Sequence, residues 1–592
     1  MKRILSVFGV VSIMVLTASL IVACSKDDDN GKAEEPNQVK PDSTDINIPV
    51  GDSVNLVFYQ SDGIIRYISN QDVDSMSYAD NGNLQVYYLK DNRVVSYSIH
   101  MLDSVGHGIP AGVTASAFPE TSDFMEAIDN ATAPDSIINK VEPSAPRDET
   151  ASDYSDYIEN FTVKNTIVFK WSGNTVEVSG SAKGVTVTKN NGHVTVQSTK
   201  GKMQYVLEGS TTDGSFKVET LADDDNKKFA LSLNGVEITN PNGPAINIQS
   251  GKTVLVNLRP GKVNTLKDGE IYTQSGTESP KGTFFSEGQL IFSGAGTLNV
   301  TSLGGHGICS DDYIRLRNNT GEINITSAKD GFNTKDIFLM YGGKVKINSS
   351  RDGISVRRGP FELYAGTLDI TSADDGIVSD DSLLASVKIG GGRINVATTD
   401  PKGHAITTKG NLVIDKGSFT ASTQGAASKC ITAVGDITIT DSYINLSTQG
   451  NPQYDEDEDD WSSAACLRSK SGLSVSGSNL FLLSSGQGSK CINAAAGVNL
   501  ETSSLTLATK GPDYEGDNNN VRSRAIDAVS LTVGDGSVLQ ISAAVTAVYV
   551  ESKFDVKGGN VFAYSLSDAI KAVNVKGSYS QTGGLITSGL SK

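Results

Sequence analysis

Aromatic residues make up only 7% of this 592-residue chain, with two tryptophans, and there are five histidines and five cysteines. Sparse aromatics beside 60 glycines argue against a helical protein and for a turn-rich, all-β one. The histidines form no Ser-His-Asp or metal-type spacing, so the common hydrolase and zinc-enzyme classes lose support, and no cysteine pair has zinc-finger spacing. Positive charge is also short: 50 Lys and Arg face 68 Asp and Glu, a formal net charge of -18. Nucleic acid and bare anionic lipid are therefore poor partners, because like charges repel. An acidic polymer would need a cation between it and the protein. The length allows several domains, or one extended repeat domain with accessories.

What is present begins with "MKRILSVFGVVSIMVLTASLIVAC". A basic start, a long apolar run and "IVAC" resemble a bacterial secretory signal (1–23) ending in a lipobox. By that likeness Cys24 is the lipid-modified first residue of the mature chain, attached to membrane by the lipid alone; an uncleaved transmembrane anchor is the alternative. The following "SKDDDN" resembles the surface-export signal of lipoproteins in some Gram-negative glycan degraders. It favours an outward-facing outer-membrane position over a periplasmic one. Residues 24–48 are polar, charged and proline-bearing, a flexible tether. A small β-rich module is expected at 49–107, with a two-copy repeat starting at Asp62 and Asp91 and alternating apolar residues. Residues 108–162 read as a linker or cap with one short helix near "SDFMEAIDNA".

From about Val163 strand patterns follow one another, and after His306 a repeat becomes plain. Small residues recur at Gly307, Gly331, Gly353, Gly376, Ala405, Cys430, Cys466, Cys491, Ala525, Ala547 and Ala569. An apolar residue follows each, from Ile308 and Phe332 to Val548 and Ile570. A second apolar column runs in step from Leu298, Ile323 and Val345 to Leu539 and Val561. A period near 22 with three short strands per copy predicts a right-handed, single-stranded parallel β-helix over 163–592. A leucine-rich repeat fits poorly, since no leucine-asparagine consensus or intervening helix recurs. Stacking would put Cys430, Cys466 and Cys491 in one corner with side chains in parallel. Free, buried thiols are favoured there over a disulfide.

The same corners carry acid. "SAKDGFN", "SSRDGIS" and "SADDGIV" place Asp330, Asp352 and the pair Asp374–Asp375 at one corner. Asp311, Asp312, Asp336, Asp380 and Asp381 lie a few residues on. Stacked carboxylates repel and raise one another's pKa, and a divalent ion with six to eight oxygens, as calcium prefers, removes that penalty. Its remaining positions would accept a uronate carboxylate. A plain turn signal, with Asp capping the backbone and Gly supplying positive φ, is the other explanation.

"YVLEGSTTDGSFKVET", "FALSLNGVEITNPNGPAINIQSGKTVLVNL", "NTLKDG" and "FFSEGQLIFSGAGTLNV", with the Asp-Gly turns, resemble the pectate-lyase-like β-helical carbohydrate-binding proteins of cellulolytic and gut bacteria. The likeness covers about 165–400 and thins beyond. It implies a monomeric, non-catalytic binder of plant cell-wall polysaccharide, uronate-rich glycans included, with calcium in the aspartate turns. A lyase of similar fold is the enzymatic alternative, with Lys329 or Arg351 as base beside the metal. "GGHGICSDD" suggests a polygalacturonase, but there the aspartate pair precedes the histidine, and here Asp311 and Asp312 follow His306. A calcium-independent adhesin is a third reading. Two insertions, 451–465 and 511–525, offer Tyr454, Trp461 and Tyr514 for stacking on sugar rings.

Overall fold

The computed structural model describes residues 55–590, except 61–63, 80–81, 90–92, 99–101, 110–113, 137, 148–149, 151–153, 221–227, 274–277, 457–458, 517–519 and 568–570. The expected leader, Cys24 and the tether lie outside the described residues. Two compact units are present: a first that reaches Pro119 and takes in Gly583–Ile586, and a second formed by Glu120–Thr582 and Thr587–Lys592.

In the first unit, Asn55–Gln60 pairs antiparallel with both Ile65–Ser69 and Leu102–His107. Val73–Tyr78, Leu84–Tyr88 and Val94–Tyr97 form a second antiparallel meander. Phe58 stacks on Tyr97 at 4.7 Å, with Phe118 edge-on at 6.3 Å. The two sequence copies thus contribute strands to both meanders and do not pair with each other.

The second unit is the expected parallel β-helix, a solenoid of about 15 turns. Each full turn adds one strand to three parallel sheets. Sheet 1 stacks Phe332–Thr334 on Ile354–Val356 and then Ile377–Ser379. Sheet 2 stacks Phe338–Met340 on Pro360–Leu363 and then Ser386–Ile389. Sheet 3 stacks Lys344–Ser349 on Thr367–Ser372 and then Arg393–Thr398. Both apolar columns hold residue for residue, with Phe332, Ile354, Ile377, Ile406 and Ile431 in one ladder and Ile323, Val345, Leu368 and Ile394 in another. Neighbouring turns sit about 4.8 Å apart, so identical apolar shapes nest. These side chains are fully buried, at roughly 1.5–3 kcal/mol each. One expectation fails at the last turn. Ala569 and Ile570 were to continue the ladders; Ile570 lies outside the described residues, and Val573 takes the place opposite Val548.

The start of the solenoid is closed by antiparallel hairpins, Asn165–Ser172 with Thr175–Ser179 and Val185–Asn190 with Gly192–Ser198. Phe169, Trp171, Tyr205, Phe216 and Phe229 pack together there, and Trp171 Nε1 donates to Gly192 O at 2.7 Å. These five aromatics cover an apolar bore at its first turn.

The described residues among 120–160 form a strap along the outside of the solenoid, running against its direction. Its helix, α1 (Thr121–Asp129), buries Phe124 and Ile128, and Phe124 stacks on Tyr564 at 5.8 Å. Further along, Ala131 O accepts from Asn445, Ile138 O from the Gly392 amide, and the Lys140 amide donates to Tyr364 O. Buried Glu142 then meets Arg315 at 2.6 Å and Arg317 at 3.3 Å, and Asp156 pairs with Lys228.

The three stacked cysteines are free and buried, as is Cys309. Cys430, Cys466 and Cys491 each donate to a sheet-3 carbonyl, those of Ser447, Leu483 and Ala508 at 3.1–3.3 Å. Among the described residues no helix is long and apolar enough to cross a membrane.

Candidate functional site

The acid corner is built by the backbone ladder entering sheet 1. The amide of Gly307 donates to Asp330 O, Gly331 to Asp352 O, Gly353 to Asp375 O and Gly376 to His404 O, at 2.7–3.0 Å. His306, Asp330, Asp352, Asp375 and His404 are therefore stacked one per turn, with Asp374 one residue before Asp375. The glycines are required for space and not for positive φ, which none of the four adopts. A Cβ on Gly353 would lie 2.4 Å from Ile370 Cγ2 and 2.5 Å from Gly376 O, and Gly331 and Gly376 are equally crowded.

Asp352, Asp374 and Asp375 each bring a carboxylate oxygen within 4.8 Å of the other two. Ligands held at 2.3–2.6 Å from one calcium can stand no more than about 5 Å apart, so the trio fits such an ion. Their electrostatics ask for one. Burial, then repulsion from Asp330 and Asp374, pushes the Asp352 carboxyl up to about 7. Burial, then Asp400, raises Asp374. Burial raises Asp375 well above the carboxylate range, against the His404 amide that donates to its Oδ1 at 2.6 Å.

Asp330 differs. Although burial opposes it, contacts with His306, Asn333 and Arg351 hold its carboxyl below the usual value. Asn333 donates to Oδ2 at 2.7 Å, while buried Oδ1 makes no hydrogen bond and has Arg351 Nε 3.2 Å away. Arg351 also stands 3.6 Å from Asp352. Lys329 is exposed.

The remaining expected ligands are not gathered into this cluster. Asp311 binds Lys281 at 2.6 Å and Arg357 at 2.9 Å, and Asp380 binds Lys409 at 2.9 Å. Asp381 accepts the amides of Leu383 and Leu384, both at 2.8 Å, and shapes a turn. Asp312 is raised by burial and then by Asp336, yet neither joins the trio. Asp268, in the "KDG" stretch, is satisfied by Tyr272, Thr283, Ser302 and the Leu303 amide. Among the described residues, the carboxylates close enough together to share a metal stand at this one corner.

The two insertions converge. Tyr454 and Trp461 pair across the hairpin Gln453–Asp455 and Asp460–Ser462, with rings 5.8 Å apart. Trp461 also meets Tyr514, on the Tyr514–Glu515 and Asn520–Val521 hairpin, at 5.1 Å. All three expected stacking residues thus form one cluster. Lys490, Arg524 and Asp527, which the sequence reading missed, lie beneath it. The available signal was positional: Lys490 and Arg524 precede the small-residue column, where Asp330 and Asp352 stand in earlier turns.

Comparison with known proteins places the acid corner within a recognised stretch. Residues 190–408 match the model of a family described as carbohydrate-binding domain-containing protein, the likeness already visible in the sequence. A carbohydrate-binding domain-containing protein of Acetivibrio thermocellus is 29% identical over 116 residues. That match covers 19% of this chain and 39% of the relative's length. A solved polysaccharide lyase-like protein from C. thermocellum, a gadolinium derivative, shares 25% identity over 40% of this chain and 92% of its own, with a TM-score of 0.35. The converging hairpins lie outside the family-matched stretch.

Proposed function

We propose that this chain is a non-catalytic carbohydrate-binding protein that holds an acidic polysaccharide through calcium at Asp352, Asp374 and Asp375. We further propose that it is displayed as a lipoprotein anchored through Cys24. The observation that carries the reading is the trio of carboxylates on consecutive turns, mutually within 4.8 Å, inside the stretch that matches a carbohydrate-binding family. When bound, calcium supplies positive charge and open coordination positions to a glycan carboxylate. The chain's own part is to fix the three oxygens on rigid, stacked backbone and to keep Asp330 out of the cluster through Arg351 and Asn333.

Affinity electrophoresis of the full chain against polygalacturonate, with and without chelator, tests this directly. Retardation that calcium strengthens, and that chelator and Asp374→Asn each reduce, is expected. Retardation that neither chelator nor Asp374→Asn reduces removes calcium from the account, in the manner of a metal-independent adhesin. The absorbance of unsaturated uronides, if it appeared, would return the lyase reading with Lys329 or Arg351 as the base.

A further inference from the structure

We infer that the cleft beneath the converging hairpins is a second, metal-independent glycan site, selective for a saccharide that carries an oxyanion, carboxylate or sulfate. The inference rests on the carbohydrate-binding reading and goes beyond it in site and in means of recognition. The cleft encloses about 290 Å3 and is lined by Trp461, Lys490, Arg522, Arg524, Asp460 and Asp527.

Two of its cations share a single carboxylate. Arg522 is matched by Asp513 at 2.6 Å, and Asp460 Oδ1 accepts the Trp461 amide. Lys490 and Arg524, however, share one carboxylate, Asp527, at 3.6 and 3.0 Å. The Lys490 side chain is only 12% exposed, and a Ser463 hydroxyl lies 3.2 Å from its Nζ. Burial, with Arg524 and Arg468 nearby, presses its pKa down despite Asp527. Arg524 is held over the Tyr549 ring, 3.6 Å from the centroid, which fixes the plane of its donors. An anion entering here would meet two oriented cations, Lys490 and Arg524, with Asp527 competing for them and Asp460 at the cleft wall, engaged by the Trp461 amide. Trp461, backed by Tyr514, offers an aromatic face to the ring that carries it.

The location strengthens the argument. Lys490 and Arg524 pair in register along sheet 1, and the corner they occupy carries Asp330, Asp352 and Asp375 on earlier turns. One edge of the solenoid therefore changes sign along its length. An acidic glycan laid on it would be held through metal at one end and directly at the other.

The test uses the full chain in chelator, so that the acid corner contributes no metal contact, and three soluble polymers: polygalacturonate, dextran sulfate and uncharged dextran. Binding of either charged polymer is expected, and the stronger of the two identifies the oxyanion. Lys490→Met should weaken it at least about tenfold, the loss of one charge-assisted contact, and Trp461→Ala should weaken it through the loss of ring stacking. Asp527→Asn should strengthen it several-fold by releasing both cations, a gain that a damaged fold does not produce. The inference is overturned if dextran binds as well as the charged polymers, if Asp527→Asn weakens binding, or if nothing binds in chelator. Loss of only the increment added by calcium would bear on the acid corner and leave this cleft standing.

Discussion

Replacing Asp352 by Asn should stabilise the metal-free protein at neutral pH and weaken it once calcium is present. The side chain is buried, and its carboxyl is pushed from an ordinary 3.8 to about 7. At about 1.4 kcal/mol per tenfold change in proton affinity, holding it ionised costs the fold about 4 kcal/mol. The sign follows from proton counts. Below pH 3.8 the carboxyl is protonated in both states and there is no penalty. Between 3.8 and about 7 the folded state binds more protons, so stability falls as pH rises, and above that window the whole penalty stands. Asn keeps the shape and removes the charge. In denaturant titrations followed by far-ultraviolet circular dichroism in chelator, the variant should unfold later than the parent at pH 8. The gap should close toward pH 4, and calcium should reverse the order. A variant less stable than the parent at pH 8 without metal, or a gap indifferent to pH, would refute the reasoning.

Three further outcomes follow from the packing. Glu142→Ala leaves Arg315 and Arg317 buried without their shared carboxylate and should cost about 3–5 kcal/mol, read as an earlier thermal transition. Gly353→Ala forces a methyl against Ile370 and the Gly376 carbonyl; about 1–3 kcal/mol of overpacking should appear in the same assay, with calcium affinity reduced because Asp352 moves with the corner. Cys309, Cys430, Cys466 and Cys491 are free and buried, and burial holds Cys309 at about 12 and Cys466 well above the ordinary thiol value. A thiol reagent at pH 8 should therefore modify these four only after denaturant is added.

The repeat was legible because each turn returns to its starting point, so residues that stack also recur at fixed spacing. That is why Leu368 and Ile377 could be assigned to ladders from the sequence alone. The acid corner was legible for the same reason, but only in part. Asp311 and Asp380 carry the same residue type in the same repeat, and nothing in the spacing reveals Lys281, Arg357 or Lys409 beside them. The glycines were legible as a column of small residues, and the space they leave admits the branched side chains of sheet 3 such as Ile370; the positive φ of a plain turn signal is what they do not adopt. The strap was invisible beyond its helix. Glu142 meets Arg315 across 173 residues, and no local pattern marks either as buried.

The strap also sets a schedule for biosynthesis. Phe124 leaves the ribosome 440 residues before Tyr564, the ring it stacks on; at about 5–20 residues per second that is a wait of roughly 20–90 s. Until the coils that carry Asn479–Ser484, Ser504–Thr509, Val538–Ala543 and Tyr564 exist, α1 lacks its partners, and its apolar face must be kept from other chains. Docking of this early-made helix onto coils made hundreds of residues later thus acts as a latch that closes only once those coils have formed.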